Sequence, residues 1–312
     1  MQRKLAALLP TESWVETPAS LELSTLGPAD APRLISATLL EDRTLREHAG
    51  AGDVEPRFSA FLDGTQRSQV LAHAGEVPIV HGVVAAVVRH RVERRLRTWR
   101  EPIVRHALYA PLALLSKPWR AALDGAGVPI VDTLASRASE SQHPFALQDA
   151  AIHAVQDDRE NAERELAESW CRAPDGNLLV DGTITGSEQV ASSTCAVGVV
   201  KSHRTLYAEG DALRVVLRLR RGERTSVFRI TSPRRTPVAS WYLRVRDPRG
   251  HDPLWGLLRV EVAESEKKIG ERADDVSRWV LAESLPLAVP DGRWDKMTYG
   301  IRDCEEFLRA IQ

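Results

Sequence analysis

The stretches FLDGTQRS (Phe61–Ser68) and LLVDGTI (Leu178–Ile184) each drive an apolar run into Asp-Gly-Thr. A strand followed by Asp-Gly is ordinary turn chemistry, because glycine accepts positive φ and aspartate caps its own turn. The same device also carries a carboxylate to the end of a buried strand. Hydrolysis of a phosphodiester by two divalent ions needs several carboxylates, from different elements, around ions about 4 Å apart. Hard magnesium or manganese prefers anionic oxygen. Asp63 and Asp181 are candidates for that donor set, with a third acid due from a helix passing nearby. Taken singly, each aspartate reads as a turn residue, so the elements around them must decide.

Other chemistries are poorly supplied. The three cysteines, Cys171, Cys195 and Cys304, form no CxxC pair, which argues against a zinc site or a disulfide framework. The nine histidines are scattered, without HExxH or His-x-His. His81 and His203 have no companion ligands and read as structural. Neither GxGxxG nor GxxxxGK[ST] occurs, so nucleotide-cradling loops of those kinds are absent. A metal here would sit on oxygen. The 312 residues are 43% hydrophobic and 27% charged, enough for a sizeable core in one large domain or two ordinary ones. No apolar run approaches the roughly 18 residues that span a bilayer, and the short apolar stretch of MQRKLAALLPTES does not read as a signal peptide. The expected location is cytoplasmic.

The formal net charge is −1, which does not point to nucleic acid, but arginine is segregated. It is dense in Arg89–His106 and again in Arg214–Gly250, where Phe228, Trp241 and Tyr242 interleave with it. Such a distribution can present a phosphate-tracking groove, with Arg218 and Arg220 among its contacts. The plainer alternative puts these arginines on solvated strand faces, and Trp241 and Tyr242 read more readily as core than as stacking platforms. Arg67, beside Asp63, and Lys201, ending VGVVK, are each either a phosphate contact or a surface charge.

The positioning elements follow from periodicity. Phe58–Leu62 reads as a strand entering Asp63, and Val77–Arg91 as a valine-rich strand. Ala146–Trp170 lacks glycine and proline and reads as a helix, stopped by CRAPDGN. LLV then delivers Asp181, and CAVGVVKSH follows as another strand. ALRVVLRLRRG, TSVFRIT, SWYLRVRD and LLRVEVAE alternate apolar with polar residues, which predicts antiparallel strands with one wet, positive face. SEKKIGERADDVSRWVLAE and RDCEEFLRAI read as helices. The expected fold is α/β, a mixed sheet flanked by helices with additional antiparallel strands. Residues 1–50 read as a lead-in, and 51–312 as the working domain.

Four stretches in this order, FLDGTQRS, DRENAERELA, LLVDGTI and VGVVKSH, resemble the NurA family of DNA-end-processing nucleases, and the likeness runs from about Arg57 to Tyr299. The resemblance implies a ribonuclease-H-like core. It also implies a site of Asp63, Glu163 and Asp181 holding two manganese or magnesium ions. Glu160 and Glu165 are rivals for the helix glutamate: Glu160 lies three residues away on nearly the same face, and Glu165 faces elsewhere. The family further implies 5′-to-3′ exonuclease and single-strand endonuclease action in DNA end resection and repair. A homodimer docked on a hexameric HerA-type ATPase goes with that activity. With no P-loop in this chain, the motor would be a separate protein. The C-terminal end departs from the family pattern. Tyr299 is the catalytic residue implied at the family's tyrosine position, but it is followed by glycine and not proline, and Phe307 stands where the family has a histidine. Asp303 or Glu305 would supply an acid from the last helix in its place. That departure leaves a second expectation, an inactive DNA-binding adaptor for the same ATPase. A third is a phosphohydrolase acting on a small substrate.

Overall fold

A computed structural model describes residues 31–50, 55–134, 143–233, 235–264, 268–284 and 294–311. Residues 1–30 of the expected lead-in lie outside the described residues. In chain order the elements are β1 (Arg33–Leu34), β2 (Thr38–Leu39), β3 (Glu47–His48), β4 (Phe58–Ala74), β5 (Val77–Val92), β6 (Arg95–Thr98) and β7 (Ile103–Ala110). Then come α1 (Lys117–Asp124), β8 (Ile130–Asp132), α2 (Pro144–Arg172), β9 (Asn177–Asp181), α3 (Glu188–Ala191), β10 (Ala196–Val200) and β11 (Thr205–Leu206). The chain closes with α4 (Gly210–Arg218), β12 (Arg224–Thr225), β13 (Phe228–Ile230), β14 (Val238–Arg244), β15 (Leu257–Ala263), α5 (Ile269–Glu283) and α6 (Tyr299–Ile311). The protein is α/β. It divides into two compact units, one of Met1–Arg57 with Gly182–Tyr299, the other of Phe58–Asp181 with Gly300–Gln312.

In the second unit the sheet order is β9-β4-β5-β7-β8, with β6 added on β5. It is mixed: β4 pairs parallel with β9 and antiparallel with β5, and β7 pairs antiparallel with β5 and parallel with β8. The valine run of β5 is buried on both faces, which suits β-branched side chains in a covered strand. Helix α2 starts at Pro144, the first-turn position where a missing N–H costs nothing, and His143 Nδ1 accepts from Phe145 N–H at 3.2 Å. Ala151, Val155, Ala162, Leu166 and Trp170 recur on one face of α2 and are buried. A Cβ on Gly82 of β5 would collide with Tyr109 and Val155, so glycine lets helix and sheet close. Strand alternation leaves the other face of β4 and β5 to α6.

The first unit carries an antiparallel sheet, β2-β13-β14-β15-β10, with β12 on β14 and β3 on β12. Here two sequence expectations fail. The ALRVVLR part of ALRVVLRLRRG lies in helix α4 and not in a strand. Leu213, Val216 and Leu217 turn inward at helical spacing, and an alternation of arginine with apolar residues imitated period two. The wet positive face fails too, since every residue of β14 is buried. Its Arg244 is fully enclosed and donates to the carbonyls of Leu217 (3.1 Å), Leu219 (3.1 Å) and Pro253 (2.9 Å), stopping the end of α4. Trp241 and Tyr242 are core, as expected, with Trp241 Nε1 donating to Ser277 Oγ at 2.9 Å.

Arg224, also buried, forks onto Glu41 (2.8 and 3.0 Å) and reaches Asp274 at 2.6 Å, joining the segment before β3 to α5. Removing one partner of a buried ion pair strands the others. Arg224→Gln is therefore expected to destabilise the protein by about 3–5 kcal/mol in urea unfolding. Nearby, the Ser226 hydroxyl holds the Asp42 carboxyl down at about 2, against burial and with help from His48 and Arg46. A depressed carboxyl stabilises the fold above its ordinary value and stops doing so as pH falls through the folded one. The stability gap between wild type and Asp42→Asn, present near neutral pH, is expected to close as pH falls from about 4 to about 2.

Candidate metal centre

Strands β4 and β9 run side by side with Leu62 opposite Val180, so the next residue on each is an aspartate. The Asp63, Asp181 and Glu305 carboxylates each bring an oxygen to within 4.8 Å of the others. Asp63 and Glu305 are buried, Asp181 half-buried. The two Asp-Gly-Thr motifs, alike in sequence, differ in backbone. After Asp181 the strand ends, and Gly182 takes φ +129°, where glycine is favoured. After Asp63 there is no turn, because β4 continues to Ala74. Asp63 Oδ1 accepts from Gly64 N–H at 2.8 Å. Gly64 serves another purpose: a Cβ there would overlap the Glu163 carboxylate and stand 2.8 Å from its Cγ. The absence of a side chain at residue 64 leaves room for Glu163 to lie against the strand from α2 in this position.

Burial pushes the Glu163 carboxyl up to about 7, with Asp181 and Glu160 pushing the same way, against the pull of Arg159. The Arg159 guanidinium donates to Glu163 and, at 3.1 Å, to Gln66 Oε1. The rival acids on α2 are engaged elsewhere. Glu160 accepts from Gln156 at 2.9 Å and Glu165 pairs with Arg105 at 2.5 Å.

Glu305 comes from α6, whose seat is specific. A Cβ on Gly300 would overlap the Phe61 ring, so the helix lies directly on β4. The Cys304 thiol, which burial keeps protonated, donates to Phe61 O at 3.4 Å. Of the two acids expected from this helix, Glu305 joins the cluster and Asp303 does not, its Oδ1 taking Arg89 Nε at 2.5 Å. Phe307 lies under the same guanidinium, 4.7 Å away. Tyr299, at the start of α6, is exposed.

The expected DNA contacts divide between the units. Arg67 is exposed on β4, four residues beyond Asp63. Lys201, Arg218 and Arg220 belong to the first unit. Lys201 O takes Lys296 Nζ at 3.5 Å. Arg218 and Arg220 are exposed in a cleft of about 600 Å³, where Arg214 stands with the acids Glu47, Asp211 and Glu223. A second cluster, Glu41, Asp42 and His48, has its oxygens taken by Arg224, Arg46 and Ser226, and forms an ion-pair network. Among the described residues no helix is long and apolar enough to cross a membrane. No protein-family model matches the chain, nor does any curated protein.

The donor set fits a hard divalent ion. Opposite oxygens of an octahedral ion bound at 2.0–2.1 Å lie about 4.2 Å apart, so donors within 4.8 Å close on one ion with small shifts. Sequence reasoning missed Gly64 and Gly300 as packing requirements and did not separate Glu305 from Asp303. The acid run DCEE was the available signal, but it does not say which acid turns inward. Gly64→Ala displaces Glu163 while leaving the cluster's own acids in place. It is expected to weaken manganese binding about 10-fold or more by calorimetry, with an unchanged circular dichroism spectrum.

Proposed function

We propose that the protein is a divalent-metal-dependent DNA nuclease with a ribonuclease-H-like catalytic core. The observation that carries this reading is the meeting of Asp63, Asp181 and Glu305 where the parallel pairing of β4 and β9 ends, with Glu163 pressed in from α2. The ordered resemblance to the NurA family supports it. Glu305 also answers the family's missing histidine with an acid from the same helix. Manganese or magnesium ions held by these four carboxylates would supply Lewis acidity to a phosphodiester and lower the pKa of a water.

The chain's own residues do the rest. Asp63 is held in place by the Gly64 N–H, and Asp181 by the strand end. Arg159 brings a positive fork beside Glu163, suited to an anionic phosphate oxygen. Arg67 lies along β4 for the adjoining phosphate.

As family inference, the action is 5′-to-3′ exonuclease with single-strand endonuclease activity, in cytoplasmic DNA end resection. The enzyme would be a homodimer fed by a HerA-type ATPase, with Lys201, Arg218 and Arg220 as further DNA contacts. Tyr299, in the family's tyrosine position, would face the substrate. An inactive DNA-binding adaptor is the second reading, favoured by Phe307 in the histidine position.

The test is degradation of 5′- and 3′-labelled single- and double-stranded DNA with manganese, magnesium or EDTA. Manganese-dependent cleavage that falls at least ~100-fold in Asp63→Ala is the expected result. No cleavage in any metal, even with the ATPase present, alongside salt-sensitive DNA binding, would favour the adaptor.

A further inference from the structure

We propose that Arg89 and Asp303 are a positioning pair that sets the rotation of α6 and so places Glu305 among the metal-site carboxylates. The inference rests on the metal-centre reading above and assigns roles that do not include binding the ion. Arg89 stands on β5 opposite Phe61 of β4, on the face that α6 covers. Every nitrogen of its guanidinium is engaged. Nε donates to Asp303 Oδ1 at 2.5 Å, Nη1 to Thr98 Oγ1 at 2.7 Å and Nη2 to Leu96 O at 3.0 Å. The two Nη contacts belong to β6, hydrogen-bonded to β5 in the same sheet. The guanidinium plane is thereby held by the sheet independently of its contacts to the helix. Asp303 then meets its edge and Phe307 its face.

Asp303 and Phe307 are four residues apart and share a helix face. Glu305, midway between them, points away toward Asp63 and Asp181. Gly300, Ile301, Cys304 and Leu308 are buried along the helix, and apolar packing of that kind has little directionality. The Arg89 contacts at Asp303 and Phe307 add a directional line beside that of Gly300 and Cys304, and two lines define a rotation. The magnitude matters here. A turn of about 20° moves an atom at a helix's ~5–6 Å outer radius by about 2 Å. That distance is a whole metal–oxygen bond, roughly 2.0–2.1 Å. The pair also neutralises a carboxylate, Asp303, which would otherwise add charge two residues from Glu305.

Manganese titrations of the full chain by calorimetry, with thermal unfolding in parallel, test the proposal. The variants are Arg89→Gln, Asp303→Asn, the double variant, Glu305→Gln, and Arg89→Gln combined with Glu305→Gln. Each of Arg89→Gln and Asp303→Asn is expected to raise the manganese Kd about 10- to 100-fold. The double variant should be no worse than the weaker-binding single, as groups in one contact are not additive. Once Glu305 is Gln, Arg89→Gln should cost nothing more. A lowered Tm with manganese Kd within twofold of wild type overturns the proposal, since the pair would then be only structural. Absence of manganese binding by wild type, or an unchanged Kd in Glu305→Gln, removes the metal-centre reading itself, and the positioning role with it.

Discussion

Like charges gathered where the parallel pairing of β4 and β9 ends are the constraint that the second unit must accommodate. Three carboxylate oxygens within 4.8 Å of one another repel when ionised, by roughly 3 kcal/mol for each pair at an effective dielectric of 20. Folding alone gives no reason to assemble them. Much of the neighbouring structure nevertheless serves the assembly. Gly64 gives up its side chain to admit Glu163, and Gly300 gives up its own so that α6 can lie on Phe61. Arg159 stands beside Glu163, Arg89 beside Asp303, and Arg309 pairs with Glu305 at 3.5 Å, so arginines meet part of this negative charge. An arrangement that holds carboxylates this close gains stability from any cation that binds the folded state alone.

How much of this was legible in the sequence depended on whether local pattern or tertiary contact decided the matter. Asp63 and Asp181 were readable because an apolar run followed by a carboxylate is a local signal, and their strands are buried as the runs required. Strand β5 and helix α2 were readable from β-branched runs and helix-forming composition. The first Asp-Gly-Thr was misleading because glycine has two uses, positive φ and close approach, and only the neighbouring helix shows which applies. Helix α4 was mistaken because Arg-x-Arg spacing satisfies period two on paper, while its apolar residues meet the core at helical intervals. In α6 the sequence offers Asp303, Glu305 and Glu306 within four residues, and the inward one is selected by the contacts of Phe61 and Arg89.

The arginines teach a related lesson. Arg224 and Arg244 lie in the stretch whose composition suggested a wet basic surface, yet both are buried. They are satisfied by different partners. Arg224 uses carboxylates and ties three segments together, whereas Arg244 relies on main-chain carbonyls, and burial brings it down to about 10. Counting arginines along a sequence cannot distinguish these from Arg218 and Arg220, which do face solvent.

The seat of α6 on β4 has a kinetic consequence. The hydrogen bond from Cys304 to Phe61 joins residues 243 positions apart, with most of the first unit's chain between them. Closing so long a loop costs conformational entropy before any contact offsets it, and long-range contacts of this kind slow folding. The sheet and α2 are contiguous in the chain and can form without that closure. Glu305 therefore joins Asp63 and Asp181 only when the last helix returns to β4.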